Sequence, residues 1–240
     1  MSNPRLPRQI IALGGGGFSM EPENLTLDRY ILAQARTERP AVAFLPTASG
    51  DSDAYVMRFY AAFSGMSCRP SHLYLFHRTP DLRSYLLSQD VVYVGGGNSK
   101  SMLGVWREWG LPEVLREACE AGVILAGISA GAICWFEQGL TDSYAGDLRP
   151  LQCLGFLAGS CVPHYDSEAA RRPTYHRLLK TGGMQPGLAI EDGAAVHFVN
   201  GGIHRVVASR RGATAYQVQV RDGAVEEEPL PVDPWSEGNA

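Results

Sequence analysis

The stretch 126-AGISAGAICWF-136, entered through the apolar run 122-GVILAG-127, decides how the rest of the chain is read. An apolar run with two β-branched members predicts a short buried strand. Small residues then turn the chain straight into an apolar helix start, with Ser129 at the corner. A nucleophilic serine needs that geometry. Gly127 and Gly131 leave room for a strained strand-to-helix turn, which lifts the hydroxyl clear of the backbone and aims the first helical N–H groups at a reacting carbonyl. The same five residues also suit a plain small-residue turn, so the surrounding chain has to decide between the two readings.

Upstream, apolar strand-like runs alternate with helical spacing. Ile10–Leu13, 41-AVAFLP-46, 71-SHLYLF-76 and 91-VVYV-94 read as strands, separated by helices near 24–35, 55–63 and 81–87. Helical stretches at 100–109 and 111–121 then lead into the run before Ser129. Continuous apolar strands alternating with helices predict an α/β fold, a parallel sheet covered on both faces. Ligands in such sheets sit beyond the carboxyl ends of the strands. The loop 95-GGGNSKSML-103 therefore belongs beside Ser129, with Asn98 offering both a donor and an acceptor at the mouth. The earlier loop 14-GGGGFS-19 lacks the third glycine of a dinucleotide fingerprint and reads as a glycine-rich turn.

After Phe136 the pattern changes to loops and short strands with glycine turns, which predicts antiparallel strands extending the sheet towards the C-terminus. No low-complexity linker interrupts the chain, so residues 1–225 read as one domain. The Pro- and acid-rich stretch 226–240 reads as a flexible tail.

The bulk of the 240 residues excludes several functions. A net charge of −4 gives no basic face for nucleic acid, and the pairs Arg171-Arg172 and Arg210-Arg211 are too small to track phosphates. Five cysteines, an odd number with no C-x-x-C pair, argue against a disulfide framework and a zinc cluster. No metal and no cofactor is expected. The N-terminal residues carry no apolar signal core and no apolar run reaches membrane-spanning length, so a cytoplasmic protein with no membrane partner is expected.

A serine hydroxyl needs a base to take its proton, and the base needs a carboxylate to fix its tautomer. Of the six histidines, His164 is the best placed, because it closes the apolar run 161-CVP-163 and opens a polar loop. His176 reads as solvated on a helix, and His197 as a packed strand residue. Two chain orders compete for the acid. An α/β-hydrolase order makes it Asp142 or Asp147, whereas the order Ser129, His164, Glu191 puts an acid at the end of 188-LAI-190. Asp192 reads as a capping or turn residue.

Taken in order, 11-IALGGGG-17, 95-GGGN-98, 127-GISAGA-132, 163-PHYD-166 and 190-IED-192 resemble the peptidase E (aspartyl dipeptidase) family, which is related to cyanophycinases. The resemblance runs from about residue 11 to Phe198. It implies the class I glutamine-amidotransferase-like fold, a three-layer αβα sandwich. It also implies a serine peptidase cleaving short peptides, with Ser129 as nucleophile, His164 as general base and acid, and Glu191 as the orienting carboxylate. The oxyanion hole would be the N–H groups of Gly97 and Ala130, Asn98 would contact the substrate backbone, and Arg171 or Arg172 would read an aspartyl side chain. A guanidinium suits that last role because its planar fork holds a carboxylate by two bonds. The same triad on a carboxypeptidase-like or cyanophycinase-like substrate is the alternative, and a non-catalytic binding protein on this fold is the third. The resemblance, with Trp106 and Trp109 on one amphipathic stretch, admits a homodimer; both tryptophans in the core is the other reading.

Overall fold

The computed structural model describes residues 6–235. Five parallel strands form its centre: β1 (Gln9–Leu13), β2 (Ala41–Leu45), β3 (Arg69–His72), β4 (Val91–Val94) and β5 (Ile124–Ile128), in the spatial order β1-β5-β4-β2-β3. Four further strands follow, β6 (Phe136–Thr141), β7 (Arg149–Gln152), β8 (Leu157–Val162) and β9 (Gly187–Ile190). The last four are β10 (Ala194–Val199), β11 (Gly202–Ala208), β12 (Ala215–Arg221) and β13 (Ala224–Pro229). β10 and β11 extend the central sheet antiparallel beyond β1. The others make a second sheet, β13-β12-β9-β8-β6-β7, in which β6, β8 and β9 run parallel.

The helices are α1 (Gly17–Met20), α2 (Thr26–Ala33), α3 (Asp53–Phe63), α4 (Leu82–Leu87), α5 (Ser99–Glu108), α6 (Leu111–Glu120), α7 (Ala130–Ile133) and α8 (Arg171–Lys180). Strand alternation decides which of them each face meets. Ile11, Leu13, Phe44 and Tyr93 point to one side and pack on Phe18, Tyr30 and Phe59 of α1, α2 and α3. Ile10, Ala12, Val92 and Leu125 point to the other and pack on Met102, Trp106 and Leu115 of α5 and α6. With every residue of β2, β4 and β5 buried, the continuous apolar runs have the two covered faces that such runs require. This is the expected three-layer αβα sandwich with a mainly parallel sheet.

The antiparallel strands do more than extend it. Leu188 and Ile190 of β9 join the same core as α5 and α6, whereas Ala189 joins Leu140, Val162 and Val218 beneath Tyr175 and Leu179 of α8. The second sheet thus has two buried faces of its own, one turned to the centre of the molecule and one covered by α8.

Two expectations are corrected here. The strand read at 71–76 is pulled back to β3, because the Asp51 carboxylate accepts the N–H groups of Leu75 (2.5 Å) and Phe76 (2.9 Å) in place of a strand partner. The stretch 226–240 does not begin as a loose tail. Residues to Pro229 pair in β13, Asp233 N donates to Val206 O (2.8 Å), and Trp235 packs edge-on against Tyr30. Residues 236–240 lie outside the described residues. Trp106 is fully buried in the core and Trp109 is 42% exposed, so of the two only Trp109 faces outward. Among the described residues, no helix is long and apolar enough to cross a membrane.

Candidate active site

Ser129 stands where β5 ends and α7 begins, with φ 56° and ψ −111°. A non-glycine residue in that region is strained, and the strain is held by what surrounds it. Ser129 N donates to Leu13 O of the neighbouring strand (3.1 Å), and Ser129 O accepts from Ala132 N and Ile133 N. Gly127 and Gly131 are both required: a Cβ on Gly127 would overlap the Gly131 carbonyl, and one on Gly131 would overlap that of Val94. The elbow is therefore a close stack of backbone on backbone.

His164 follows β8 and is turned by a positive φ of 53°. Its Nε2 lies 2.9 Å from Ser129 Oγ and its Nδ1 2.6 Å from Asp192 Oδ1. A carboxylate only accepts, so Nδ1 carries the proton and Nε2 is left to accept from the serine hydroxyl. The Asp192 carboxyl is half-buried, and burial alone would raise its pKa. Hydrogen bonds from His164 and Ser167, with the charges of His164 and Arg210, outweigh that and hold it below the ordinary carboxylate range. It stays charged to low pH.

The acid on His164 is thus Asp192, which corrects the expectation of Glu191. Glu191 Oε1 accepts from Tyr216 Oη (3.0 Å) and Oε2 from Thr214 N (3.1 Å). The reason is strand parity: Asp192 continues the row of Leu188 and Ile190, which faces the middle of the molecule, and Glu191 continues the row of Ala189 towards α8.

Two loops complete the surround. The first, after β1, contributes Gly15, where a Cβ would overlap the Asp192 carboxylate and crowd His164 Nδ1. The glycine-rich run is therefore a slot for the acid and the imidazole. From beneath, Asp28 Oδ2 accepts Phe18 N (2.8 Å), and burial pushes the Asp28 carboxyl up to about 7. The second loop follows β4. Gly96 packs against the Ser129 side chain, and its N–H donates to Tyr55 Oη (3.2 Å), which in turn pairs with Ser19 (2.8 Å) and so ties the two loops together. Gly97 is exposed at the crest of this loop, and Ala130 is the first residue of α7, where an N–H has no acceptor within the helix.

The residues assigned to substrate reading sit differently from expectation. Asn98 caps α5, its Oδ1 accepting Ser101 N (2.8 Å) and its Nδ2 donating to Ser143 O (3.3 Å). Arg171 is only 3% exposed and is committed inside the protein, to Glu168 (2.8 Å) and to Leu140 O (2.9 Å). Arg172 lies over the rings of Tyr165 and Tyr216 and pairs with Glu227 (3.4 Å), which also bonds His176 (2.6 Å) and Tyr165. Arg171 is an anchor for α8, and Arg172 belongs to the network behind Glu191, with its side chain 45% exposed. Asp142 and Asp147, the alternative acids, lie exposed in the loop after β6 and have no part in the His164 hydrogen bonds.

Ser129, His164 and Asp192 thus form a hydrogen-bonded chain at converging strand ends of an α/β sandwich. The profile of peptidase family S51 matches residues 10–206. The chain belongs to peptidase family S51. It is 56% identical over 226 residues to an uncharacterized peptidase, YgaJ, of Bacillus subtilis (strain 168), covering 94% of this chain and 98% of that one. Peptidase E of Streptomyces coelicolor is 31% identical over 144 residues, 58% of this chain and 55% of its own. A crystal structure of a peptidase from an acI-B1 actinobacterium superposes with a TM-score of 0.74 over 96% of both chains at 14% identity, a likeness of fold. The S51 chain described here is accordingly a serine-type peptidase of the peptidase E type, on a three-layer αβα sandwich.

Sequence reasoning missed three parts of the site. Asp192 stood next to the acid chosen, and parity with Leu188 and Ile190 was the signal available. Gly15 gave no signal beyond the glycine run. Arg210, read only as half of a small basic pair, donates from Nε to Asp192 O (2.9 Å).

Proposed function

We propose that this peptidase hydrolyses short peptides through an acyl-enzyme on Ser129. The reading rests on one observation, the continuous hydrogen-bonded line Ser129 Oγ, His164 Nε2, His164 Nδ1, Asp192 Oδ1 at a strained elbow. Ser129 Oγ attacks the scissile carbonyl as His164 Nε2 takes its proton. His164 returns that proton to the leaving amine, then activates the water that releases the acyl group. Asp192, in place of Glu191, fixes the tautomer and stabilises the imidazolium. The N–H groups of Gly97 and Ala130 receive the oxyanion, a contribution whose loss typically costs about 10²–10³ in turnover.

The substrate class is short peptides without a strict demand for N-terminal aspartate, because Arg171 and Arg172 are both engaged within the protein. Asn98, exposed beside Gly97, meets the substrate backbone through the Nδ2 hydrogen not used on Ser143 O. A cytoplasmic setting is supported by free thiols at Cys68, Cys119, Cys134, Cys153 and Cys161.

A panel of di- and tripeptides varied at both ends, run beside Ser129→Ala, tests this reading. Cleavage across several N-terminal residues that vanishes in the variant is expected. Cleavage that persists in Ser129→Ala would end it, and cleavage confined to N-terminal aspartate would overturn the specificity.

A further inference from the structure

Between His164 and the loop after β11, an ion pair closes around one residue of the site. Asp166 Oδ1 accepts Asp192 N (2.9 Å), and Arg210 Nε donates to Asp192 O (2.9 Å). The circle is completed by a direct ion pair between Arg210 and the other Asp166 oxygen. Both backbone polar groups of Asp192 are thus held by two side chains that hold each other. The arginine stem also lies over Gly193, where a Cβ would come within 2.9 Å of Arg210 Cγ. On the opposite side, Gly193 N donates to Gly15 O (3.0 Å).

We propose that Asp166 and Arg210 are positioning residues that clamp the Asp192 backbone and so fix which acid of the pair Glu191-Asp192 is presented to His164. The inference rests on the triad assigned above. Peptide rotation at 191–192 is the motion to be prevented: two adjacent carboxylates sit at the end of β9, and only one row faces Ser129. An ordinary exposed pair would add little, since most surface ion pairs contribute little to stability. Here the pair's fixed geometry matters more than its energy, because a displacement of about 1 Å in a catalytic constellation can cost on the order of 10²-fold in rate. Arg210 serves through the planar fork of its guanidinium, with Nε on one carbonyl and a terminal nitrogen on a carboxylate. Lysine, a single point donor, cannot make both bonds.

The test uses the whole protein with Arg210→Ala, Asp166→Ala, the double variant and Arg210→Lys. Two readouts are taken: the rate at which a fluorophosphonate labels Ser129, resolved into its saturating rate and half-saturation concentration, and the low-field proton resonance of His164 Nδ1–H. Each alanine variant is expected to lower the saturating rate at least tenfold with half-saturation within about twofold, and to shift or broaden the resonance, with melting temperature nearly unchanged. The double variant should be no slower than the slower single one, since one clamp can be lost only once. Arg210→Lys should not restore the rate. A wild-type resonance in Arg210→Ala, full rescue by lysine, or losses that multiply in the double variant would overturn the clamp. The resonance reports the His164–Asp192 bond even if wild-type Ser129 proves unreactive, so failure of the hydrolase reading and failure of the clamp give different results.

Discussion

Glu191 and Asp192 are adjacent carboxylates at the end of one strand, and their surroundings could hardly differ more. Asp192 faces the seam where the parallel ends of β1, β5, β8 and β9 converge, among close-packed backbone and residues held at positive φ. Its carboxylate meets the His164 imidazole at 2.6 Å. Glu191 faces α8 and lies among Tyr216, Tyr165, Arg172 and Glu227, side chains that bond one another. The first region is built of backbone and keeps its polar side chains few and aimed at a line. The second is built of side chains that bond one another in a network rather than in a line. Chemistry requires the former arrangement, since a pre-set line of donors and acceptors needs no reorganisation when charge develops.

The largest expected effect is on the Asp192 side. Asp192→Ala should lower kcat on the order of 10⁴-fold, the loss typical when the imidazole is left in the wrong tautomer, with the protein still folded. Steady-state kinetics on any peptide from the panel measures it. A loss below tenfold would mean that some other group orients His164, and the contrast between the two carboxylates would collapse.

How far the sequence carried this contrast is instructive. The parallel core was legible because β2, β4 and β5 are buried on both faces, and a strand buried on both faces must be apolar throughout. The elbow was legible because Gly127, Ser129 and Gly131 are local in sequence and their spacing carries the geometry. His164 was legible from its place at a strand end. The choice between Glu191 and Asp192 was not, because it depends on which face of β9 turns inward. That is set by the second sheet, whose existence no local pattern reported. The short strands of that sheet alternate in polarity, and Leu188, Ala189 and Ile190 are apolar on both faces. The burial of Arg171 was hidden for a related reason: it looks like a surface residue until α8 is docked over Leu140, whose carbonyl it meets.

A smaller effect is expected from Gly15→Ala. The added methyl would overlap the Asp192 carboxylate and crowd His164 Nδ1, so it should push the acid away without altering its charge. A displacement of this kind predicts a fall in kcat of about 10²-fold, less than removal of the carboxylate. Serine labelling and peptide turnover should fall together. If Gly15→Ala retained full activity, the first glycine loop would be a plain turn and the backbone-built character of this region would be overstated.

The smallest effect belongs to the other carboxylate. Glu191→Gln keeps an oxygen for Thr214 N or Tyr216 Oη and removes only the charge, so each bond weakens from charge-assisted to neutral. Stability should fall by about 0.5–1.5 kcal/mol, seen as a lower denaturant midpoint with an unchanged slope. Turnover should stay within about threefold of wild type, because nothing in the line from Ser129 to Asp192 has been touched. The sign of the pairing is what matters: a residue that costs stability and spares rate, next to one that costs rate and spares stability. Should Glu191→Gln instead lower kcat by a hundredfold with stability intact, the strand end would have to turn over during the reaction, presenting Glu191 to His164 in the working enzyme.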